Sequence, residues 1–158
     1  MNIILYEPEI PPNTGNIIRL CANTGASLHL IQPMGFTLET KALRRAGLDY
    51  HETTDLQIYE SLDACLEQQL ALKPDTRVYA VTTKGEHSYH NQQYRKNDML
   101  LFGPESRGLP DDVLYSPRTW RRIRLPMKAS SRSMNLSNAV AVVTFEILRQ
   151  LDFPDLVY

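Results

Sequence analysis

Three short segments of small polar residues stand out because their side chains and backbone groups could bind one ligand together. They are residues 133–138 (SMNLSN), 11–16 (PPNTGN) and 103–108 (GPESRG). Asn and Ser cap helix ends, where the first backbone N–H groups stay available to a ligand. Segment 133–138 runs directly into an apolar helical pattern, and each of the other two follows a strand-like run. Three such segments in one short chain predict a composite binding site.

Several other chemistries lack the residues that they need. The sequence has no glycine-rich phosphate loop followed by Lys-Ser or Lys-Thr, no dinucleotide glycine fingerprint and no nucleophile elbow. Its histidines and cysteines are not spaced as metal ligands, so a metal enzyme is not expected. The polar segments suit a reaction whose cofactor carries its own reactivity while the protein positions the partners. Methyl transfer from a sulfonium donor is such a reaction.

Length and composition predict an ordinary globular protein. The 158 residues fit a single domain spanning 1–158, with 42% hydrophobic and 22% charged residues. No apolar run approaches the roughly 20 residues that span a bilayer, so we expect no membrane association and a cytoplasmic location. Cys21 and Cys65 are predicted to be buried, unreactive thiols rather than a disulfide pair.

The formal net charge of −1 hides local basic clusters that could contact phosphates. The candidates for such contacts are Arg44, Arg45, Arg121, Arg122 and Arg132, with Tyr50 and Tyr115 as candidates for stacking on bases. The alternative for each cluster is a solvated surface, and the alternative for each tyrosine is a half-buried aromatic side chain.

Strands and helices alternate along the chain, which predicts a mostly parallel sheet with helices on both faces. The predicted strands are 2–6, 27–31, 50–54, 77–83, 99–102 and 122–125, and the predicted helices are 14–23, 40–46, 61–72, 110–115 and 136–151. Residues 87–90 read as an exposed loop. Ligands bind beyond the carboxyl ends of the strands in such sheets, where we expect all three polar segments to lie.

The last predicted helix, 136–151, is apolar on more than one face. A helix at the edge of a small monomer shows a single apolar stripe. The additional apolar face predicts contact with a second subunit, and a homodimer is the simplest assembly. The alternative is that loops of the same chain cover it.

The three segments lie within longer motifs that resemble those of the SPOUT class of RNA 2′-O-methyltransferases. The match is close to the small, single-domain YibK/TrmL subgroup, which methylates the wobble ribose of certain leucine tRNAs. It covers essentially the whole chain, and all three motifs occur in order. The matching stretches are 5–12, 13–25, 44–50, 101–110, 123–127 and 131–140.

The resemblance implies a fold, a cofactor and an assembly. The fold is an α/β domain with a C-terminal deep trefoil knot, the cofactor is S-adenosyl-L-methionine without a metal, and the assembly is a homodimer that acts on the tRNA anticodon stem-loop. The implied cofactor contacts, many of them through backbone groups, are at Val81, Gly103, Leu125, Ser133 and Met134. The polar set implied to serve catalysis or its geometry is Asn13, Arg19, Glu105, Ser133 and Asn135.

Arg19 often has the role of general base in accounts of the family, but that role is expensive. Deprotonating an arginine at neutral pH costs on the order of 7 kcal/mol before its surroundings contribute. We therefore expect Arg19 to bind the ribose or its phosphate, while the proton leaves through a phosphate oxygen or water. From the residues alone, the alternative is a surface ion pair of Arg19 with Glu7 or Glu9.

The expected function is 2′-O-methylation of the wobble nucleotide, cytidine or 5-carboxymethylaminomethyluridine, in leucine tRNAs. Two alternatives stay open. The same chemistry could act at another tRNA position or on ribosomal RNA, or the chain could be an RNA-binding factor without turnover.

Overall fold

Seven parallel strands form the centre of the protein. A computed structural model describes residues 1–37, 55–154 and 156–157. Its strands are β1 (Asn2–Tyr6), β2 (Ser27–Ile31), β3 (Leu56–Tyr59), β4 (Val78–Val81), β5 (His87–Ser88), β6 (Met99–Phe102) and β7 (Thr119–Arg124). The strand order is β3-β2-β1-β6-β4-β7-β5, and every pairing is parallel. The carboxyl ends of all seven strands therefore lie at one edge of the sheet.

Helices cover both faces of this sheet. They are α1 (Pro11–Thr24), α2 (Leu62–Leu72), the short α3 (Asp111–Leu114) and α4 (Leu136–Gln150), with a 3-10 turn at Tyr89–Asn91. Helices α1 and α4 pack on one face, and α2 and α3 pack on the other. Strands β1, β2, β4 and β6 are mostly buried apolar runs, as expected for strands covered on both faces. The predicted α/β class with a parallel sheet is confirmed.

The predicted strands at 2–6, 27–31 and 99–102 are confirmed with the same bounds. Helix α1 begins three residues earlier than the predicted Thr14, because two prolines can occupy the first helical positions, where no N–H partner is needed. The segment 11–16 is therefore the start of a helix and not a turn. Gly25 ends α1 in the left-handed conformation (φ 70°), which glycine adopts without steric cost.

Other boundaries differ from the predictions. Strand β3 was not predicted, and residues 87–90 form β5 and the start of the 3-10 turn rather than an open loop. Strand β7 begins at Thr119, three residues before the predicted start. The predicted helix 40–46 and strand 50–54 lie outside the described residues.

Both cysteines are buried and neither forms a disulfide. Burial raises the pKa of each thiol to about 12, because a thiolate loses its hydration in the protein interior. The prediction that both thiols are buried and unpaired with each other is confirmed. Within the described ranges, we find no helix with the length and apolar character needed to cross a bilayer.

His29 gives the fold a sensitivity to mild acid. Its imidazole is 1% exposed, and burial lowers its pKa from 6.5 to about 4. Between these two pH values the unfolded chain binds a proton that the folded chain does not, so stability falls as the pH falls. We expect His29 to remove about 3 kcal/mol of unfolding free energy between pH 7 and pH 4.

Urea unfolding at both pH values measures this loss, with His29→Phe as the variant that cannot titrate. Acidic residues also contribute to acid sensitivity, so the informative quantity is the difference between the two proteins. An equal loss of stability in wild type and His29→Phe would contradict the assignment.

Candidate active site at the carboxyl edge of the sheet

A cavity of about 440 Å³ lies at the carboxyl edge of the sheet, above β1, β4 and β6. Its volume is in the range of sites that bind small molecules and cofactors. All three polar segments contribute to its walls, as the composite-site hypothesis expects. The cavity wall includes Asn13, Gly103, Glu105, Arg107, Ser133, Met134 and Asn135.

A chain of hydrogen bonds joins the polar residues from the three segments. The Asn13 amide donates to Glu105 Oε1 at 2.9 Å, and the Asn135 amide donates to Asn13 Oδ1 at 3.0 Å. Asn135 also begins helix α4, because its Oδ1 accepts from the Asn138 backbone N–H at 3.3 Å and from Ser137 Oγ at 2.8 Å. These bonds fix which way each amide group points. Residues more than 90 positions apart are thereby held in one rigid arrangement.

Glu105 is anchored by three N–H donors. Besides the Asn13 amide, its carboxylate accepts from the backbone N–H of Glu9 at 2.9 Å and of Ile10 at 3.3 Å. A carboxylate has two oxygens with room for about four such bonds. Glu105 therefore acts mainly as the support that orients Asn13.

Glu9, in the loop after β1, makes a reciprocal contact with the loop after β6. Its carboxylate accepts from the Ser106 backbone N–H, from Ser106 Oγ and from the Arg107 guanidinium, each at 2.8 Å. The Ser106 hydrogen bonds hold the pKa of Glu9 below its usual value. The loops after β1 and β6 are thus tied together by two carboxylates that each bind the backbone of the other loop. Sequence reasoning missed this pair, because nothing local marks Glu9 as a partner of residue 106.

Arg107 contacts Glu7 as well as Glu9. These are the two acidic residues that the sequence offered as alternative partners of Arg19. Glu7 has a positive φ of 48°, an uncommon conformation for a residue with a side chain. Arg19 itself lies on the exposed side of α1 and is not part of the cavity wall formed by the described residues.

A smaller, mostly apolar cavity of about 80 Å³ adjoins the first and shares several wall residues with it. Val81, Leu125, Ser133 and Met134 line it, which brings four of the five predicted cofactor contacts together. The fifth, Gly103, lines the larger cavity. A larger cavity with both polar and apolar walls beside a smaller apolar one fits a ligand with a charged part and an apolar part.

Gly103 has no space for a side chain. A Cβ atom there would lie 2.4 Å from the Leu109 nitrogen and 2.5 Å from the Gly108 carbonyl carbon. The turn over 104–108 folds back onto this glycine and places Glu105 at the cavity. The glycine is therefore required by the path of the backbone, whatever ligand binds beside it.

The predicted phosphate-binding arginines differ in their surroundings. Arg122 pairs with Glu86 at 2.7 Å, and Arg121 donates to the Gln92 side chain at 2.9 Å. Arg132 is exposed. Arg44, Arg45 and Tyr50 lie outside the described residues.

Two further features bear on a possible ligand. Among the described residues, no group of three His, Cys, Asp or Glu side chains comes close enough to hold a metal ion. A cavity of about 420 Å³ on the α2–α3 side of the sheet includes Glu7, Glu60, Asp63 and Asp112 in its wall. It contains none of the predicted site residues.

Replacing Glu105 with glutamine is expected to disrupt the network although the two side chains have the same shape. All three partners of the Glu105 carboxylate are N–H donors, so the NH₂ group of a glutamine would face another donor at one or more of these contacts. We expect a loss of about 1–3 kcal/mol in unfolding free energy, together with reduced activity. Chemical denaturation measures the first effect. Glu67→Gln is the control, because Glu67 is an exposed partner of Arg118 and should change stability by less than about 1 kcal/mol. Equal stability of wild type and Glu105→Gln would contradict the anchoring role.

Comparison with known proteins identifies the family. Residues 1–145 match the SpoU rRNA Methylase family. The chain belongs to this family. A relative from Yersinia pestis, named tRNA (cytidine(34)-2′-O)-methyltransferase, is 56% identical over 155 residues, covering 98% of this chain and 96% of the relative.

Two solved structures share the fold of this chain. One, described as "Structural insights into the 2-OH methylation of C/U34 on tRNA", has a TM-score of 0.88 and 46% identity, covering 96% of this chain and 95% of that chain. The SpoU methyltransferase AviRb from Streptomyces viridochromogenes, solved with AdoMet, has a TM-score of 0.84 at 20% identity, covering 96% of this chain and 60% of its own. The second likeness shows a common fold.

Proposed function

We propose that this chain transfers a methyl group from S-adenosyl-L-methionine to the 2′-oxygen of the wobble ribose, nucleotide 34, in tRNA. The observation that carries the proposal is the cavity at which Asn13, Glu105 and Asn135 meet in one hydrogen-bonded chain. The names of relatives such as the Yersinia pestis protein support the choice of substrate. From the resemblance, we propose leucine tRNAs with cytidine or 5-carboxymethylaminomethyluridine at that position.

The two adjoining cavities fit the proposed cofactor. Val81, Leu125 and Met134 would enclose its apolar part, while Gly103 and Ser133 would offer backbone and hydroxyl groups to its polar part. When bound, the sulfonium group supplies an electrophilic methyl group. The chemistry then requires a positioned ribose oxygen and an acceptor for its proton.

Asn13 and Asn135 are the residues that we propose to orient the ribose. Asn13 is buried, and both its amide nitrogen and its amide oxygen are hydrogen-bonded, so it fixes Asn135, which is exposed at the cavity and has a second amide hydrogen to donate. Glu105 is a positioning residue that acts through Asn13. In this mechanism Arg19 stabilises developing charge, and the 2′-hydroxyl proton passes to a phosphate oxygen or to water.

We propose that the chain functions as a homodimer in which Arg19 serves the site of the partner subunit. The outward stripe of α4 contains Val142 and Phe145, which are 39% and 49% exposed. Helix α4 packs against α1, so both helices present outward faces on the same side of the protein. Burying that side against a second copy would cover the apolar stripe and bring Arg19 towards the other cavity.

We further propose that the C-terminal part forms a deep trefoil knot. Strand β7 pairs with both β4 and β5, although residues 82–86 alone connect those two strands. This link runs against the end of β7: the Thr82 N–H donates to the Ile123 carbonyl at 2.9 Å, and a Cβ on Gly85 would lie 2.5 Å from the Ile123 carbonyl carbon. Pulling the chain by its two ends would test the knot, because a knotted chain stops short of its full contour length.

A single domain over 1–158 and a cytoplasmic location complete the proposal.

The deciding experiment incubates purified protein with bulk tRNA and labelled S-adenosyl-L-methionine, and then maps the product nucleoside by mass spectrometry. Label at the 2′-oxygen of nucleotide 34 supports the proposal. Label at another position would show that the chemistry is right and the target wrong. Binding of tRNA without transfer would favour a non-catalytic role.

A further inference from the structure

The amino-terminal half of β7 is an exposed sheet edge with an unusual composition. Among the described residues, β5 pairs with Ile123 and Arg124, and no described strand pairs with Trp120 on that side. The register shifts between Val78 and Tyr79, which leaves Trp120 in a bulge that interrupts the pairing of β7 with β4. Trp120 is 54% exposed. It is also the only tryptophan in the sequence.

Arg121 accompanies Trp120, and a second exposed aromatic side chain lies beside Arg122 on the opposite face of the sheet. Tyr115, directly after α3, is 61% exposed. The Arg121 guanidinium lies 5.8 Å from the centre of the Trp120 ring, and the Arg122 guanidinium lies 4.6 Å from the centre of the Tyr115 ring. Large aromatic rings at the surface without an apolar partner often mark a binding surface.

The charges of these arginines are balanced to different extents. Arg122 pairs with Glu86, and the nearby Arg118 is bound by Asp63 and Glu67. The side-chain partner of Arg121 is the neutral Gln92, so its positive charge is not balanced by that contact. A positive group beside an open aromatic ring suits a phosphate next to an unpaired base.

We propose that Trp120 and Arg121, here called the aromatic strip, bind unpaired nucleotides of the tRNA whose ribose is methylated. This inference rests on the proposed function and adds a part of the RNA-binding surface to it. Aromatic side chains stack on bases of any sequence, and arginine adds stacking and phosphate contacts. Trp120 is five residues before Leu125, which lines the small cavity. At about 3.3 Å per residue, the strip is roughly 16 Å from the site, which an RNA loop can span.

RNA fits the strip better than a protein partner does. Trp, Tyr and Arg also dominate protein interfaces, and an open strand edge could pair with another strand. The bulge at Trp120 breaks the regular edge that such pairing needs, however. Arg121, whose described side-chain partner is the neutral Gln92, also favours an anionic ligand.

The fluorescence of the single tryptophan tests the proposal directly. An anticodon stem-loop RNA is titrated into the full protein without methyl donor while Trp120 emission is recorded. Stacking on a base should quench this emission with the same midpoint as binding measured by anisotropy of the labelled RNA. Unchanged emission at saturating RNA would overturn the proposal. A concentration-dependent change in emission without RNA would indicate a protein partner and would overturn it as well.

Matched variants separate stacking from charge. Trp120→Leu should weaken RNA binding about 5- to 10-fold and raise KM more than it lowers kcat, while Trp120→Phe should recover most of the affinity. Arg121→Gln should reduce the salt dependence of binding by about one phosphate contact. Arg118→Gln, which removes an arginine already paired with acidic residues, should change it little. Wild-type affinity in Trp120→Leu would overturn the inference.

The outcome is distinguishable from failure of the proposed function. Quenching by RNA from a protein that transfers no methyl group would leave the strip as an RNA-binding surface and refute the activity. Methyl transfer at nucleotide 34 without any effect of Trp120→Leu on RNA binding would support the activity and refute the strip as an RNA-binding surface.

Discussion

Subunits carrying Arg19→Ala and subunits carrying Asn135→Ala are expected to be inactive as separate homodimers and active when combined. Each substitution should reduce methyl transfer by on the order of 100-fold, as loss of a group that stabilises the transition state does. If Arg19 acts in the partner's site, a mixed dimer contains one site with both residues intact. That site combines Asn135 of the first subunit with Arg19 of the second. Its activity should be about half that of the wild-type dimer.

The measurement uses coexpressed subunits with two different affinity tags, purified in sequence so that only mixed dimers remain. A wild-type dimer carrying both tags is the control for tags and assembly, and a dimer of wild-type and doubly substituted subunits, which would have no intact site, should be inactive. Mixed dimers that stay as inactive as the parent homodimers would show that Arg19 acts within its own subunit. An active monomer would contradict the proposal that two subunits share each site.

The reason for expecting a shared site is that Arg19 does not line the cavity formed by the described residues of its own subunit. Asn13 and Arg19 are six residues apart on one helix, a spacing that turns them to different faces. Asn13 is buried towards Glu105, whereas Arg19 is exposed. The sequence resemblance groups the two residues in one polar set, and this grouping becomes physically consistent when a second copy is present.

Sequence patterns predicted the elements with strong apolar runs and clear stops. Strands 2–6, 27–31 and 99–102 are buried on both faces, so their composition alone marks their bounds. Strand β3 carries the half-exposed sequence LQIY, which has no such signature. The amino-terminal half of β7 was missed for the same reason, since Trp120 and Arg121 are exposed there.

The residues of the site were predictable from the sequence, but the hydrogen bonds that hold them together were not. Polar helix and strand ends pointed to segments 11–16, 103–108 and 133–138, and these do line one cavity. The contacts that hold them depend on which strands are neighbours. Because β6 inserts beside β1, Glu9 and Ser106 come into contact across 97 positions of sequence. No local pattern encodes that insertion.

Gly103→Ala is expected to damage both the fold and the site, and it separates a backbone requirement from a cofactor contact. The added methyl group would lie about 2.4 Å from a backbone nitrogen, where no flexible side chain can move aside. The turn must shift to relieve this overlap, at a cost of about 3 kcal/mol or more. The same shift moves Glu105 away from Asn13, so methyl transfer should fall by at least about 100-fold.

Gly108→Ala in the same turn is the matched control. Gly108 has a left-handed φ of 71°, yet a Cβ there would have no heavy atom within 4 Å. Its substitution should therefore cost only the left-handed backbone strain, about 1 kcal/mol. Urea unfolding compares the two variants, and equilibrium dialysis measures their binding of S-adenosyl-L-methionine. If Gly103→Ala were as stable as Gly108→Ala and had lost only cofactor binding, the glycine would serve the ligand directly, and the overlap with the turn would not be its reason.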